Sequence, residues 1–281
     1  MKFKVSAKLV YEAFSPSTLI LNIHPFKSAG QFILEEHFNT TPNLNMNSGL
    51  SIIPGEKRYQ VIEIPENGVI TFQYDAVVEN NFEVIPLEKL YDVPISQMPV
   101  SALSYLNPSR YCQSDKLYKF AFKKFGAIEN AYEKVIAIRD WIFENVEYTG
   151  GYTTPQTSAY DTITEQVGVC RDFAHLGIAL CRALTIPARY FTCYAYKLKP
   201  QDFHACFEVY LGSKWVVVDA TKMVPITGLI KIATGIDATD TALASIFGNL
   251  GFTSLEVNAE LADSEFEDVD SSLPLQGYSY Y

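Results

Sequence analysis

The stretch Gly168-Val169-Cys170-Arg171-Asp172-Phe173-Ala174-His175-Leu176 constrains this chain more than any other. Leu176, Leu180 and Leu184 recur at helical spacing with Phe173 and Ala183 beside them, which predicts a helix from about 170 to 184 with one apolar stripe. Such a stripe needs an apolar layer to pack against, and the chain supplies one at once. Residues 188–196, 204–211 and 215–219 are rich in aromatic and β-branched side chains and predict three strands. Gly212-Ser213 between the second and third is a tight-hairpin signal. A helix followed by a run of antiparallel strands makes an α+β unit.

Cys170 falls at the start of that helix, where unsatisfied backbone N–H groups and the dipole favour a thiolate over a thiol. The plain alternative is burial, because cysteine is among the residue types most often found inside. His204 opens one strand and Asp219 closes the next, and antiparallel neighbours pair start with end. If the two point to one face, and the helix N-terminus docks at that edge, Cys170, His204 and Asp219 meet. They would supply a nucleophile, an imidazole to carry a proton and a carboxylate to orient the imidazole. Taken singly, His204 reads as an edge residue and Asp219 as a turn cap; the conjunction of type, order and placement points to catalysis.

Other residues nearby carry less. The backbone N–H of Cys170 is the natural first oxyanion donor. Gln166 and Tyr152 are candidates for the second, Gln166 being equally readable as an exposed helical residue. Asp172 suits a first helical turn without any catalytic reason, and Arg171 pairs with it or faces solvent. His175 lies well round the helix from Cys170 and reads as structural, while Cys181 and Cys193 read as packing residues. Cys170, His204, Cys206 and Glu208 include no closely spaced ligand pair of the zinc type, so neither a metal nor another cofactor is expected.

Charge narrows the partners. The net charge of -10 is unevenly placed, because all 22 Lys and Arg precede residue 232 whereas the last 50 residues carry nine of the 32 acids. The body is therefore nearly neutral, without the basic patch that nucleic acids require. No apolar run is long enough to span a bilayer, and MKFKVSAKLVYEAF lacks the apolar core of a signal peptide, so no membrane partner is expected. Five cysteines, odd in number and without a CxxC pair, suit reduced thiols in the cytoplasm.

Along the rest of the chain, residues 2–10 alternate with period two, and further strands are predicted at 18–24, 32–38, 59–64 and 69–78. Their spacing suggests an antiparallel β-sandwich, in which His24 and His37 are ordinary strand residues. Residues 91–110, with three prolines, read as a connection. Helices follow at 115–125, ending at Gly126, at 130–146, with its Trp141 in the core, and at 160–166. Residues 222–252 are expected to be ordered but irregular. The organisation is thus a β-sandwich domain over 1–95, a catalytic domain over 110–253 and an acidic, solvated and partly mobile tail over 254–281.

GVCRDFAHL, then IPARY, then DFHACFEVYLGSKWVVVDAT resembles the core of the transglutaminase-like superfamily of cysteine enzymes. It is similar in particular to the bacterial members described as cysteine proteases, closely over 130–250 and more weakly, through their β-rich N-terminal region, over the first hundred residues. The resemblance implies a papain/transglutaminase-like α+β core with the nucleophile at a helix N-terminus against an antiparallel sheet. Residue by residue it implies Cys170 as nucleophile, His204 as general acid and base, and Asp219 as the orienting carboxylate. Cys206 departs from the pattern, since relatives commonly place Trp two residues after the histidine. The activity expected is hydrolysis of a peptide or isopeptide amide in a protein or peptide substrate. Acyl transfer from glutamine, by cross-linking or deamidation, is the alternative, and a non-catalytic binding protein that keeps the fold is a third.

Overall fold

The N-terminal strands are β1 (Lys2–Ala13), β2 (Ser17–Leu21), β3 (Gln31–Thr41), β4 (Met46–Leu50), β5 (Arg58–Ile64), β6 (Gly68–Asn80) and β7 (Glu83–Pro86). The computed structural model describes residues 1–50, 57–266 and 276–280. β1 buries every second residue, from Phe3 through Val5, Ala7, Leu9 and Tyr11 to Ala13, as its period-two pattern predicts. It pairs antiparallel with β6, and β6 with β3. β2, β5 and β4 form part of a second sheet. Leu19, Leu21, Ile62 and Ile64 of that sheet share one apolar core with the buried face of β1 and β6. β4 and β7 escape the sequence pattern because both are short and lack a clear alternation.

The second half begins with short helical turns at 95–97 and 104–106 and the one-turn helix α1 (Val100–Leu103). This proline-rich connection lies against the core, where Val93 and Ala102 pack on Tyr210. α2 (Ser114–Phe125), α3 (Ala131–Asn145), β8 (Glu147–Tyr148), α4 (Ala159–Glu165), β9 (Val167–Gly168) and α5 (Cys170–Ala183) follow. α3 starts where Asn130 accepts the Glu133 N–H at 3.0 Å, a side-chain cap that closes one open donor. β10 (Ala188–Ala195), β11 (His204–Leu211) and β12 (Lys214–Val218) are the three predicted strands, with Gly212 and Ser213 forming the two-residue turn between the last two.

α5 lies along one face of this sheet. Ala205, Phe207 and Val209 on β11, with Ala188 and Tyr190 on β10, meet Leu176, Ile178, Ala179 and Leu180 in one core. The approach is close at Gly177, where a Cβ would stand 2.5 Å from a ring carbon of the fully buried Phe207. Further along the same face of β10, Tyr194 joins the core of the N-terminal sheets. The two halves thus share buried surface rather than hanging on a linker.

Two expectations fail in the C-terminal third. Residues 222–252 are not irregular: β13 (Leu229–Gly235) is the fourth strand of the core sheet, paired antiparallel with β10, and β14 (Ala244–Phe247) pairs with β2. β13 is buried on both faces, so it shows no alternation and its strand character is hidden. Nor is 254–281 a solvated tail throughout. β15 (Leu250–Leu261) pairs with β1 along its length, giving the order β15-β1-β6-β3. Its acids lie on the outer face while Val257 and Ala259 point inward, so in the sequence most of this strand resembles a charged tail. β16 (Gln276–Ser279) pairs with β7, and Tyr278 and Tyr280 are buried beneath the core sheet. Residues 267–275 of that tail lie outside the described residues.

Candidate active site

Cys170 is the first residue of α5, and the motif around it explains its placement. Asp172 is fully buried and reaches back along the helix, its Oδ2 accepting the Val169 N–H at 2.9 Å and a short hydrogen bond from the Thr153 hydroxyl. This closes the helix N-terminus just before the thiol. Gly168 is required by that approach, because a Cβ there would meet the Asp172 Cβ at 2.7 Å. Arg171 turns away from the thiol and donates to the carbonyls of Thr154 and Thr157 at 2.7 and 3.2 Å, which fastens the 150–158 loop to the helix. Of the five free cysteines, four are buried and Cys170 alone is partly exposed.

His204 starts β11, and its Nε2 lies 3.2 Å from Asp219 Oδ2 in a fully buried pair. The other carboxylate oxygen accepts from the Thr221 backbone N–H at 2.9 Å and its hydroxyl at 2.8 Å, so the pair is held in one orientation. Burial alone would lower the basicity of the His204 ring, but the Asp219 charge and hydrogen bond, reinforced by a hydrogen-bonding interaction with the Cys170 side chain, raise it well above the ordinary histidine value. Burial likewise acts to raise Asp219, and the His204 charge with the Thr221 hydrogen bonds overcomes it, holding the carboxyl below its usual range. Nδ1 of His204 has no well-directed hydrogen bond to any other group among the described residues. The three predicted residues are thus brought together: a thiol at a helix N-terminus, a ring that favours the protonated state, and a carboxylate that anchors the ring.

Tyr148 completes the site, and sequence reasoning missed it. The two-residue strands β8 and β9 pair in parallel with Tyr148 opposite Gly168, and the Thr149 N–H donates to Gly168 O at 3.0 Å. Tyr148 is thereby held beside the start of α5, its ring 5.7 Å from that of Phe173. Its hydroxyl interacts with both the backbone N–H and the thiol of Cys170, and burial followed by the Cys170 charge pushes its pKa up. No sequence pattern flags a two-residue strand whose partner lies in a separate segment of the chain.

The remaining candidates fall elsewhere. Gln166 is exposed in a left-handed conformation at the C-terminal cap of α4, and Tyr152 is 63% exposed. No hydrogen bond from either side chain to Cys170 is present among the described residues, whereas Tyr148 interacts with Cys170 directly. His175 is buried between the rings of Tyr111 and Tyr190, each centred 4.9 Å away, and its Nε2 accepts the Ala238 N–H at 3.2 Å. Burial lowers its pKa to about 3, so it packs as a neutral ring. Cys181 lies in the α5 core, and Cys193 sits behind the sheet with Cys206. Glu208 is buried with Arg189 at 2.8 Å and a close contact to Lys231, forming an ion-pair cluster within the sheet. The ligand-capable atoms of His204, Cys206 and Asp219 lie within 4.8 Å of one another, which places Cys206 as the immediate wall of the His204–Asp219 pair. Burial raises the Cys206 thiol well above its ordinary value, so it lines the pair as a neutral group.

Residues 118–220 match the transglutaminase-like superfamily, and residues 1–101 match the bacterial transglutaminase N-terminal domain. The crystal structure of a candidate cysteine protease from Cytophaga hutchinsonii is 49% identical, covers 100% of this chain and 98% of its own, and superposes with a TM-score of 0.96. An uncharacterized protein of Mycobacterium leprae is 30% identical over 166 residues, which is 56% of this chain and 59% of that relative, so the match spans little more than half of its length.

Proposed function

Because the chain belongs to the transglutaminase-like superfamily, we propose that it hydrolyses a peptide or isopeptide amide through a thioester, with Cys170, His204 and Asp219 as the catalytic set. One observation supports this above the others: a partly exposed thiol at a helix N-terminus interacts with a buried imidazole whose far nitrogen is held by a carboxylate. The likeness to the candidate cysteine protease from Cytophaga hutchinsonii, over the whole chain, points the same way.

In this reading the Cys170 sulfur attacks the carbonyl carbon as a thiolate, with its proton already on His204. The tetrahedral oxyanion is met by the Cys170 N–H and, as second donor, by the Tyr148 hydroxyl. The C–N bond breaks as His204 gives its proton to the departing amine, leaving a thioester on Cys170. Water then adds to the thioester, losing a proton to His204, and the acid leaves as the thiolate is restored. Asp219 stays ionised throughout and stabilises the imidazolium.

The ion pair is tested by following Cys170 alkylation against pH in the wild type and in His204→Ala. The substitution is expected to slow the alkylation and to change the shape of its pH profile, because no imidazolium is left to stabilise the thiolate. Identical rates and pH profiles in the two proteins overturn the mechanism.

A further inference from the structure

Two residues before His204, Asp202 sets a carboxylate at the open end of β11. The loop that carries it is pinned on both sides: Leu198 is buried beneath the core sheet, and the buried Phe203 packs on Tyr194 with ring centroids 5.2 Å apart. Asp202 Oδ1 accepts the Phe203 N–H at 2.7 Å, which fixes one oxygen against the backbone and leaves the other for solvent. The residue is exposed, and among the described residues no Lys or Arg forms a salt bridge with it. Its charge acts on the two groups that flank the Cys170 thiol, His204 and Tyr148.

An unpaired carboxylate beside the proton-delivering histidine has a consequence for what binds there. Resting on the reading of Cys170 as the nucleophile, we propose that Asp202 is a specificity residue that recruits a cationic group, the ammonium or guanidinium of a Lys or Arg side chain, next to the scissile amide. His204 hands its proton to the departing amine, and Asp202 lies two residues before His204, at the open end of β11, so the cationic side chain belongs to the leaving half of the substrate. A carboxylate a few ångströms from a cation at the mouth of a cleft acts through water-rich surroundings, which gives a severalfold preference that salt weakens.

The local field can be read without a known substrate, because Cys170 is the one partly exposed cysteine. Its modification rates are measured with a cationic methanethiosulfonate, the ethylammonium reagent, and an anionic one, the ethylsulfonate reagent. The ratio of cationic to anionic rates is expected to fall about fivefold in Asp202→Asn at low ionic strength, and the difference to shrink at high salt. An unchanged ratio overturns the proposal. A quenched-fluorescence peptide library is then cleaved by the wild type and by Asp202→Asn, with Cys170→Ala as the blank. Enrichment of Lys and Arg just after the cut in the wild type, lost in Asp202→Asn, supports it. Cleavage without that enrichment overturns it and leaves the hydrolase standing, whereas no cleavage above the blank removes the hydrolase reading and this substrate class together.

Discussion

At the scale of single residues, the site depends on side chains that hold one another in otherwise unfavourable places. His204 and Asp219 are both buried and ionisable, and each is kept in its charged form by the other against the cost of burial. Tyr148 is the least constrained member, 44% exposed and carried by a strand of only two residues. Its proposed part is separable from packing, because Tyr148→Phe keeps the ring against Phe173 and deletes the hydroxyl alone. If that hydroxyl meets the oxyanion, kcat on a cleaved peptide falls about tenfold to a hundredfold while KM barely moves. A variant as fast as the wild type removes Tyr148 from the mechanism.

At the scale of elements, the position of Cys170 follows from how tightly α5 lies on β11. Gly177 is where the two touch, and Gly177→Ala tests the contact with opposing effects of known size. A helical Gly→Ala change on its own stabilises by about 1 kcal/mol. Here the added methyl meets the ring of Phe207, which is fully buried and cannot swing aside, and overpacking of this kind costs about 1–3 kcal/mol. The larger effect wins, so the melting temperature is expected to fall, and peptide cleavage to weaken as the helix N-terminus is pushed from His204. A higher melting temperature would show that the helix and sheet can separate freely.

At the scale of the whole molecule, the chain crosses between its halves repeatedly. β15 returns to the N-terminal sheet, Tyr194 of the core sheet packs into the N-terminal core, and Gln31 donates to Lys231 O at 2.8 Å across the junction. A disturbance in one half should therefore be felt as global unfolding. His24 offers the probe. It is buried between Phe38 and Tyr74 with neither ring nitrogen hydrogen-bonded among the described residues, and burial, aided by the Arg58 charge, lowers its pKa to about 4. Between about pH 6.5 and about 4 the unfolded chain binds a proton that the folded chain refuses, so stability declines as pH falls through this window, by about 3 kcal/mol from His24. His175, lowered to about 3 by burial, adds to the decline. His204 has the opposite sign: its raised value contributes stability below about pH 6.5 that is lost only as pH climbs towards its folded pKa. Urea denaturation at pH 7 and pH 4.5 measures the slope, and His24→Phe, which fills the same aromatic slot, is expected to flatten it. An equal slope in both proteins rules out His24 as a source.

The placement of Cys170, His204 and Asp219 was legible in the amino-acid order because each is fixed by local rules. An apolar stripe of period 3.6 sets where α5 begins, and a two-residue turn at Gly212-Ser213 brings His204 and Asp219 together at the open end of the hairpin. What local pattern could not reveal were features that exist only between distant segments. β13 is buried on both faces and so carries no alternation, and the acids of β15 mark an outward face only once β1 lies beside it. Tyr148 reaches Cys170 through a parallel pair between two segments that are separate in the chain. Sequence thus determined which atoms could attack and carry the proton, since those follow from period and turn. Only the tertiary structure decided what surrounds them, because a neighbour brought in from far along the chain leaves no periodic trace in its own segment.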